Sequence, residues 1–192
     1  MKKEKALVNF IAEAGLLKRV KRSGWWVLGI TDGETVAEHS FRCAVIGYLI
    51  ACREGASPYK VLLMTLFNDI HEARINDLHK MAQRYIRLKE AEDSAFLEQT
   101  ATLPKNISRE LRGLRNEYRK QKTMESVIAR DADILECLIQ AKEYHEYGFK
   151  EALKFTMKAP GKLRTKTARR LWARARGMSL NRWWERFSEF ER

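Results

Sequence analysis

The chain predicts an all-α fold, a compact bundle of about eight helices. Apolar residues recur at three- and four-residue spacing along most of its 192 residues, and helix-capping sequences punctuate that pattern. Period-two alternation is confined to the short run at residues 25–30. One domain is expected over residues 1–192, with a core at about 5–147 and a basic helical extension at about 149–192.

Residues 4–17 place Ala6, Leu7, Phe10, Ile11, Ala14 and Leu17 on one face of a first helix. The segment 18–32 carries four basic residues, adjacent tryptophans and two glycines, and reads as a loop. Thr35 and Glu38 form a T-x-x-E capping box that opens a helix to about Arg53, with Phe41, Ala44, Val45, Tyr48, Leu49 and Cys52 as its inner face and Gly55 as its stop. Ser57-Pro58 starts the next helix, since serine caps well and proline is pre-set for the first helical position.

Residues 78–103 read as one long helix, with Met81, Tyr85, Leu88, Ala95 and Leu97 apolar, broken at Pro104. Residues 106–121 form a further charged helix. Thr123 caps the strongest late helix, whose core positions are Val127, Ile128, Ala132, Leu135, Leu138, Ile139 and Ala141 and whose end is Gly148. Residues 149–159 predict one more helix and 162–176 an arginine-dense one. Ser179 caps a last helix with Trp183, Trp184, Phe187 and Phe190 on its apolar side.

Composition narrows the partners. A formal charge of +12 and a pI near 9.8 favour anions, whether nucleotides, nucleic acid or acidic surfaces, or simply mark a heavily solvated surface. Three cysteines without paired spacing, all within predicted helices, indicate reduced packing residues and a cytoplasmic protein. No run approaches eighteen apolar residues, and the basic start leads into an amphipathic helix rather than a signal sequence, so neither secretion nor membrane spanning is expected. The basic, aromatic C-terminal segment suits either docking onto the rest of the chain or nucleic-acid binding.

The chain is organised around residues 61–79, VLLMTLFNDIHEARINDLH. Leu62, Leu63, Leu66, Phe67 and Ile70 make an apolar face, and then Asn68, Asp69 and Glu72 converge at the helix end, with Asp77 one turn further on. Acidic groups at a buried helix end must be paired, protonated or bound to a cation. Two further candidates for holding such a cation are His39, in the first turn after the capping box, and Asp133, in RDADILE; Asp131 is the runner-up there. His71, His79 and His145 read as polar or exposed histidines rather than ligands.

Taken in order, A-E-H-S, N-D-x-x-E-A with Asp77, and D-A-D-x-L-E resemble the HD-domain phosphohydrolases, and within them the small 5'-deoxynucleotidase-like branch. The resemblance covers most of residues 5–147. It implies a divalent metal ion (Co, Mn, Zn, Mg or Ni) held by His39, Asn68, Asp69 and Asp133. Asn68 departs from the family, which has a histidine there, and an amide oxygen is a much weaker ligand for a transition ion than imidazole. The resemblance further implies Glu72 and Asp77 as catalytic groups, and Arg22, Trp25 (or Trp26) and Asp77 as contacts to a nucleoside 5'-monophosphate, with a homodimer or higher oligomer as the assembly. The alternatives are a non-catalytic nucleotide-binding relative and a basic nucleic-acid-binding helical protein.

Overall fold

The computed structural model describes residues 2–187, and among these the extended backbone is limited to one bridge between Lys21 and Thr35. Among the described residues nine α-helices follow one another: α1 (Lys2–Leu16), α2 (Val36–Glu54), α3 (Pro58–Leu66), α4 (Glu72–Ile75), α5 (Leu88–Ala101), α6 (Lys105–Lys120), α7 (Met124–Glu146), α8 (Ala152–Phe155) and α9 (Lys166–Arg176). Short 310 turns join several of them. The expected run at residues 25–30 is not extended but lies in a 310 turn, Ser23–Leu28, which Gly29 ends at a φ of 78°.

The capping signals set the helix starts. Thr35 and Glu38 form the reciprocal box at the start of α2, Ser57 accepts from Lys60 N–H before α3, and Thr123 and Ser126 form a second box before α7. Helix α7 is the central element, packed by α2, α3, α6, α8 and α9. Its buried Ile128, Ala132, Leu135 and Leu138 join Ile46, Ile50, Val61 and Met64 in the main core, to which α9 adds Ala168, Trp172 and Ala175. A second cluster gathers Leu17, Val20, Val36, Ile70, Phe96 and Leu111 under α1, α5 and α6.

Several expected faces are corrected. In α2 the buried residues are Val36, His39, Ser40, Cys43, Ala44, Ile46, Gly47, Ile50 and Ala51, while Phe41, Val45, Tyr48, Leu49 and Cys52 are exposed. Small side chains let α2 approach α3 closely, and hydropathy ranks them below the large residues on the opposite face. In α1 Ile11 faces out, and in α3 the buried positions are Val61, Met64 and Thr65 rather than Leu62, Leu63 and Leu66. Residues 78–103 are not one helix. The chain from 76 to 87 is irregular apart from a 310 turn at Ala82–Arg84, Met81, Tyr85 and Leu97 are exposed, and Phe96 is the buried anchor of α5.

The 149–159 helix shrinks to the single turn of α8, and α9 starts only at Lys166. Asp131 and Asp133 are both turned into the protein, in different directions. Asp131 is fully buried and accepts the backbone N–H groups of Arg164 (2.9 Å) and Thr165 (2.6 Å), fastening the start of α9. Trp172 docks α9, but Trp183, Trp184 and Phe187 are exposed around a 310 turn at Glu185–Phe187. The expected apolar position Phe190 lies outside the described residues. No helix among the described residues is long and apolar enough to cross a membrane.

Two predictions follow from this packing. A Cβ at Gly47 would meet Val61 Cγ1 at 2.9 Å and Thr65 Cγ2 at 3.2 Å. Gly47→Ala is therefore expected to destabilise by about 1 kcal/mol, because the overpacking outweighs the gain in helix propensity, and the midpoint of urea unfolding should fall accordingly. The second concerns Glu34, whose Oε1 accepts the Trp25 indole N–H at 2.9 Å. Burial, and then Glu136, push its carboxyl up to about 7. A carboxyl with a raised folded-state pKa favours folding least when ionised, so stability is lost as pH rises from about 4.5 through 7. Glu34→Gln keeps an acceptor for the indole and should be more stable than the wild type by about 2 kcal/mol at pH 8, with no advantage at pH 4, in thermal unfolding across that range.

Candidate active site

The site is assembled where α2, the α3–α4 turn and α7 meet, and His39 is its deepest member, fully buried in the first turn of α2. Its Nδ1 is hydrogen-bonded to Glu136 of α7, itself fully buried. Arg42, one turn beyond His39, donates to Glu136 Oε1 from Nε (3.0 Å) and Nη2 (2.8 Å), and to Glu143 from Nη1 (2.7 Å). A histidine held this way at Nδ1 has Nε2 as its free face. Nε2 lies 3.5 Å from Asp69 Oδ2 and 3.3 Å from Asp133 Oδ1.

Helix α3 stops at Leu66, and residues 67–71 turn so that Asp69 faces His39. The Asn68 amide donates to Asp69 Oδ1 at 2.7 Å, which leaves Oδ2 as the oxygen toward the imidazole. Helix α4 then presents Glu72, nearly buried, with Oε2 lacking any hydrogen-bond partner. Asn76 adopts a φ of 62° and returns the chain so that Asp77 Oδ2 accepts the Ser23 N–H at 2.5 Å. Arg22 lies beside it, Nη1 3.9 Å from Asp77 Oδ1. Asp133 has a partner on its outer side, Arg130, whose Nη1 donates to Oδ2 at 2.9 Å.

These groups border a cavity of about 350 Å³ that opens to solvent. Arg22, Trp25, Asn68, Asp69, Glu72, Asp77 and Asp133 all line it, and His39 lies behind it. Trp25 is mainly a core residue, buried with Ile30, Ala141 and Ala152, and only an edge reaches the cavity; Trp26 does not line it. His71 is a buried histidine whose Nδ1 faces Arg115 at 3.3 Å, and His79 Nδ1 accepts the Ala82 N–H.

Electrostatics follow from this crowding of acids. Burial raises Glu72 well above the usual carboxylate range, and Asp69 and Asp77 push it further. Burial and Arg22 work against charge on His39, but the acidic groups around it, Glu136 and Asp133 among them, win and hold its proton affinity above the ordinary value. Asp133 is held low despite burial, through its hydrogen bond with His39. Nε2 thus faces two carboxylates across a gap where a cation fits.

The donor set is one imidazole nitrogen facing two carboxylates, with a partnerless carboxylate oxygen on Glu72 close by, and this fits a divalent ion. A different grouping, His39, Cys43 and Glu136, has its donor atoms within 4.8 Å of one another. It supports His39 from behind rather than competing, because Arg42 occupies Glu136 and burial pushes the Cys43 thiol up to about 12. Sequence reasoning assigned no role to Glu136 or Arg42. Glu136 lies one turn after Asp133 on a core helix, and an acid at such a position was the available signal. Arg130 left no comparable trace.

Comparison with known proteins places this architecture. The chain matches the HD domain over residues 14–172. The 5'-deoxynucleotidase HDDC2 of Xenopus laevis is 31% identical over 143 residues, spanning 74% of this chain and 71% of that protein. The 5'-deoxynucleotidase YGK1 of Saccharomyces cerevisiae is 28% identical over 166 residues, spanning 83% and 75%. Among solved structures, a conserved hypothetical protein from Pyrococcus furiosus superposes with a TM-score of 0.75 at 33% identity, covering 89% of this chain and 99% of that one. A predicted metal-dependent phosphohydrolase from Magnetospirillum magnetotacticum gives 0.71 at 25% identity, covering 91% and 90%. The helical bundle and these relatives agree: the chain belongs to the HD-domain family.

Proposed function

We propose that the chain is a metal-dependent phosphohydrolase acting on nucleoside 5'-monophosphates, deoxyribonucleotides in particular, with a metal centre weakened by Asn68. The observation that carries this reading is His39 Nε2 facing Asp69 and Asp133 on the floor of a cavity that Arg22 also lines. The relatives named as 5'-deoxynucleotidases supply the substrate class.

His39, Asp69 and Asp133 would hold the ion, with Asn68 contributing at most an amide oxygen. A bound divalent ion supplies an activated water and offsets charge on the phosphoryl oxygens. Among the described residues the Arg22 guanidinium has one ion pair, a 3.9 Å contact to Asp77, so most of its donors would remain for phosphate oxygens. Glu72 is placed to take a proton from the attacking water, its raised proton affinity matching that task. Asp77, steadied by Ser23, would receive a sugar hydroxyl or assist the leaving oxygen. Trp25 closes the cavity beside the sugar, its indole fixed by Glu34.

A homodimer is the second element of this reading. Phe41, Val45, Tyr48 and Leu49 form an exposed apolar stripe along α2, a feature monomers rarely leave open. Three free cysteines accord with a reducing, cytoplasmic setting.

Activity and metal content test the proposal together. Purified protein with added Mn²⁺ or Co²⁺ should release phosphate from deoxynucleoside 5'-monophosphates, and Glu72→Ala should lower turnover by roughly 100-fold or more while nucleotide binding persists. Asn68→His should raise divalent affinity about ten-fold or more, read by metal stoichiometry, and activity with it. If Asn68→His binds no more metal and hydrolyses no faster, position 68 is not a weakened ligand. For the assembly, Tyr48→Arg should shift the light-scattering mass toward that of one chain without loss of helicity; an unchanged mass removes α2 from the interface.

A further inference from the structure

The cavity has two unlike kinds of lining. In one, His71, Glu92, Arg115 and Arg119 are engaged with one another and with Asp93: Arg119 Nη2 donates to Glu92 at 2.5 Å, and Arg115 Nη2 lies 2.9 Å from Asp93. Charges that satisfy each other make a wall, and an uncharged ring pressed against them would have to strip them of partners. The lining also includes the uncharged residues Gly24, Ile134, Cys137, Phe155 and Ala159, of which Gly24 lies against Phe155.

Phe155 is the notable member of that uncharged set. It belongs to the single turn of α8, which is anchored by fully buried Ala152, so the backbone beneath it is fixed. Its ring is tilted against Trp25, with centroids 6.0 Å apart, and lies near Gly24, where a built Cβ would sit 3.8 Å from ring atoms. Even so the ring remains 43% exposed. An aromatic ring backed by another ring, held by a fixed helix turn and open toward a cavity, is a stacking surface. Gly24 is two residues from Arg22, so one short turn joins the phosphate-seeking guanidinium to the aromatic ring.

We propose that Phe155 is the stacking platform for the nucleobase, and that the α8 segment therefore sets the affinity for nucleotides over sugar phosphates. This rests on the nucleotide reading above and adds the element that recognises the base. Stacking on a ring is tolerant of base identity, since every base has a π-face, so purine and pyrimidine monophosphates both gain from it. The Lys162 ammonium makes no hydrogen bond or ion pair among the described residues, and Lys162 lines the same cavity, available to an acceptor on the base edge.

The test compares equilibrium binding of dAMP, dTMP and 2-deoxyribose 5-phosphate by titration calorimetry in the presence of Mn²⁺, for the wild type, Phe155→Ala and Phe155→Trp. The wild type should bind both nucleotides more tightly than the sugar phosphate. Phe155→Ala should weaken both nucleotides roughly five- to one-hundred-fold and leave the sugar phosphate unchanged. Phe155→Trp, which keeps an aromatic face, should retain nucleotide affinity, and this separates stacking from a general loss of the fold. Equal weakening of all three ligands by Phe155→Ala, or equal wild-type affinity for nucleotide and sugar phosphate, overturns the assignment. Binding of the sugar phosphate without any preference for nucleotide leaves the phosphate site standing and removes only the base platform. Failure of the wild type to bind any of the three removes the nucleotide reading itself, and this inference with it.

Discussion

The arrangement depends on one buried chain of contacts, from Arg42 to Glu136 to His39. An imidazole at zero exposure is tolerable only if both nitrogens have partners, and a carboxylate at zero exposure only if its charge is met. Glu136 meets the first need at Nδ1, and Arg42 meets the second with paired donors at 2.8 and 3.0 Å. Nδ1 being committed to the interior, Nε2 has no choice but to face Asp69 and Asp133. The orientation of the site is thus set from behind, by α2 and α7 packing along much of their lengths, before any group at the cavity surface is considered.

The cavity surface carries an excess of acid. Asp69, Glu72, Asp77 and Asp133 converge from the α3–α4 turn and α7, with Arg22 and Arg130 the cations that reach them most directly. Burial and the neighbouring acids raise the proton affinity of Glu72, and the acids around His39 raise that of the imidazole despite its burial. Both adjustments supply positive charge or remove negative charge at the place where a cation would do so. A protein whose acids were merely solvated would need neither, because exposed carboxylates are screened by water.

Much of this was legible in the sequence, for reasons that differ by element. Helix starts were readable because capping is local: Thr35 with Glu38, Ser57 before Pro58, and Thr123 all act within one turn. The acidic cluster was readable because its members lie close in the chain. The inner face of α2 was read correctly at Ala44 but misread around it, because close approach to α3 demands a small residue such as Gly47, and a hydropathy pattern favours Phe41 and Tyr48 instead. The helix expected over residues 78–103 failed because its polar first half has nothing to pack on, and propensity alone does not hold a helix. Arg42 and Glu136 were invisible as a pair, since 94 positions separate them and only the folded contact joins them.

Asn68 shows how a substitution at such a centre can leave its geometry standing. A ligating histidine would direct its ring nitrogen at the ion, whereas the amide here turns its N–H groups to Asp69 Oδ1. That contact leaves Asp69 with Oδ2 toward His39, so the carboxylate keeps its place. The amide therefore trades direct coordination for orientation of the next residue. His39, Asp69 and Asp133 are held by Glu136, the Asn68 amide and Arg130 respectively, so the geometry of the cavity rests on contacts that the chain itself supplies.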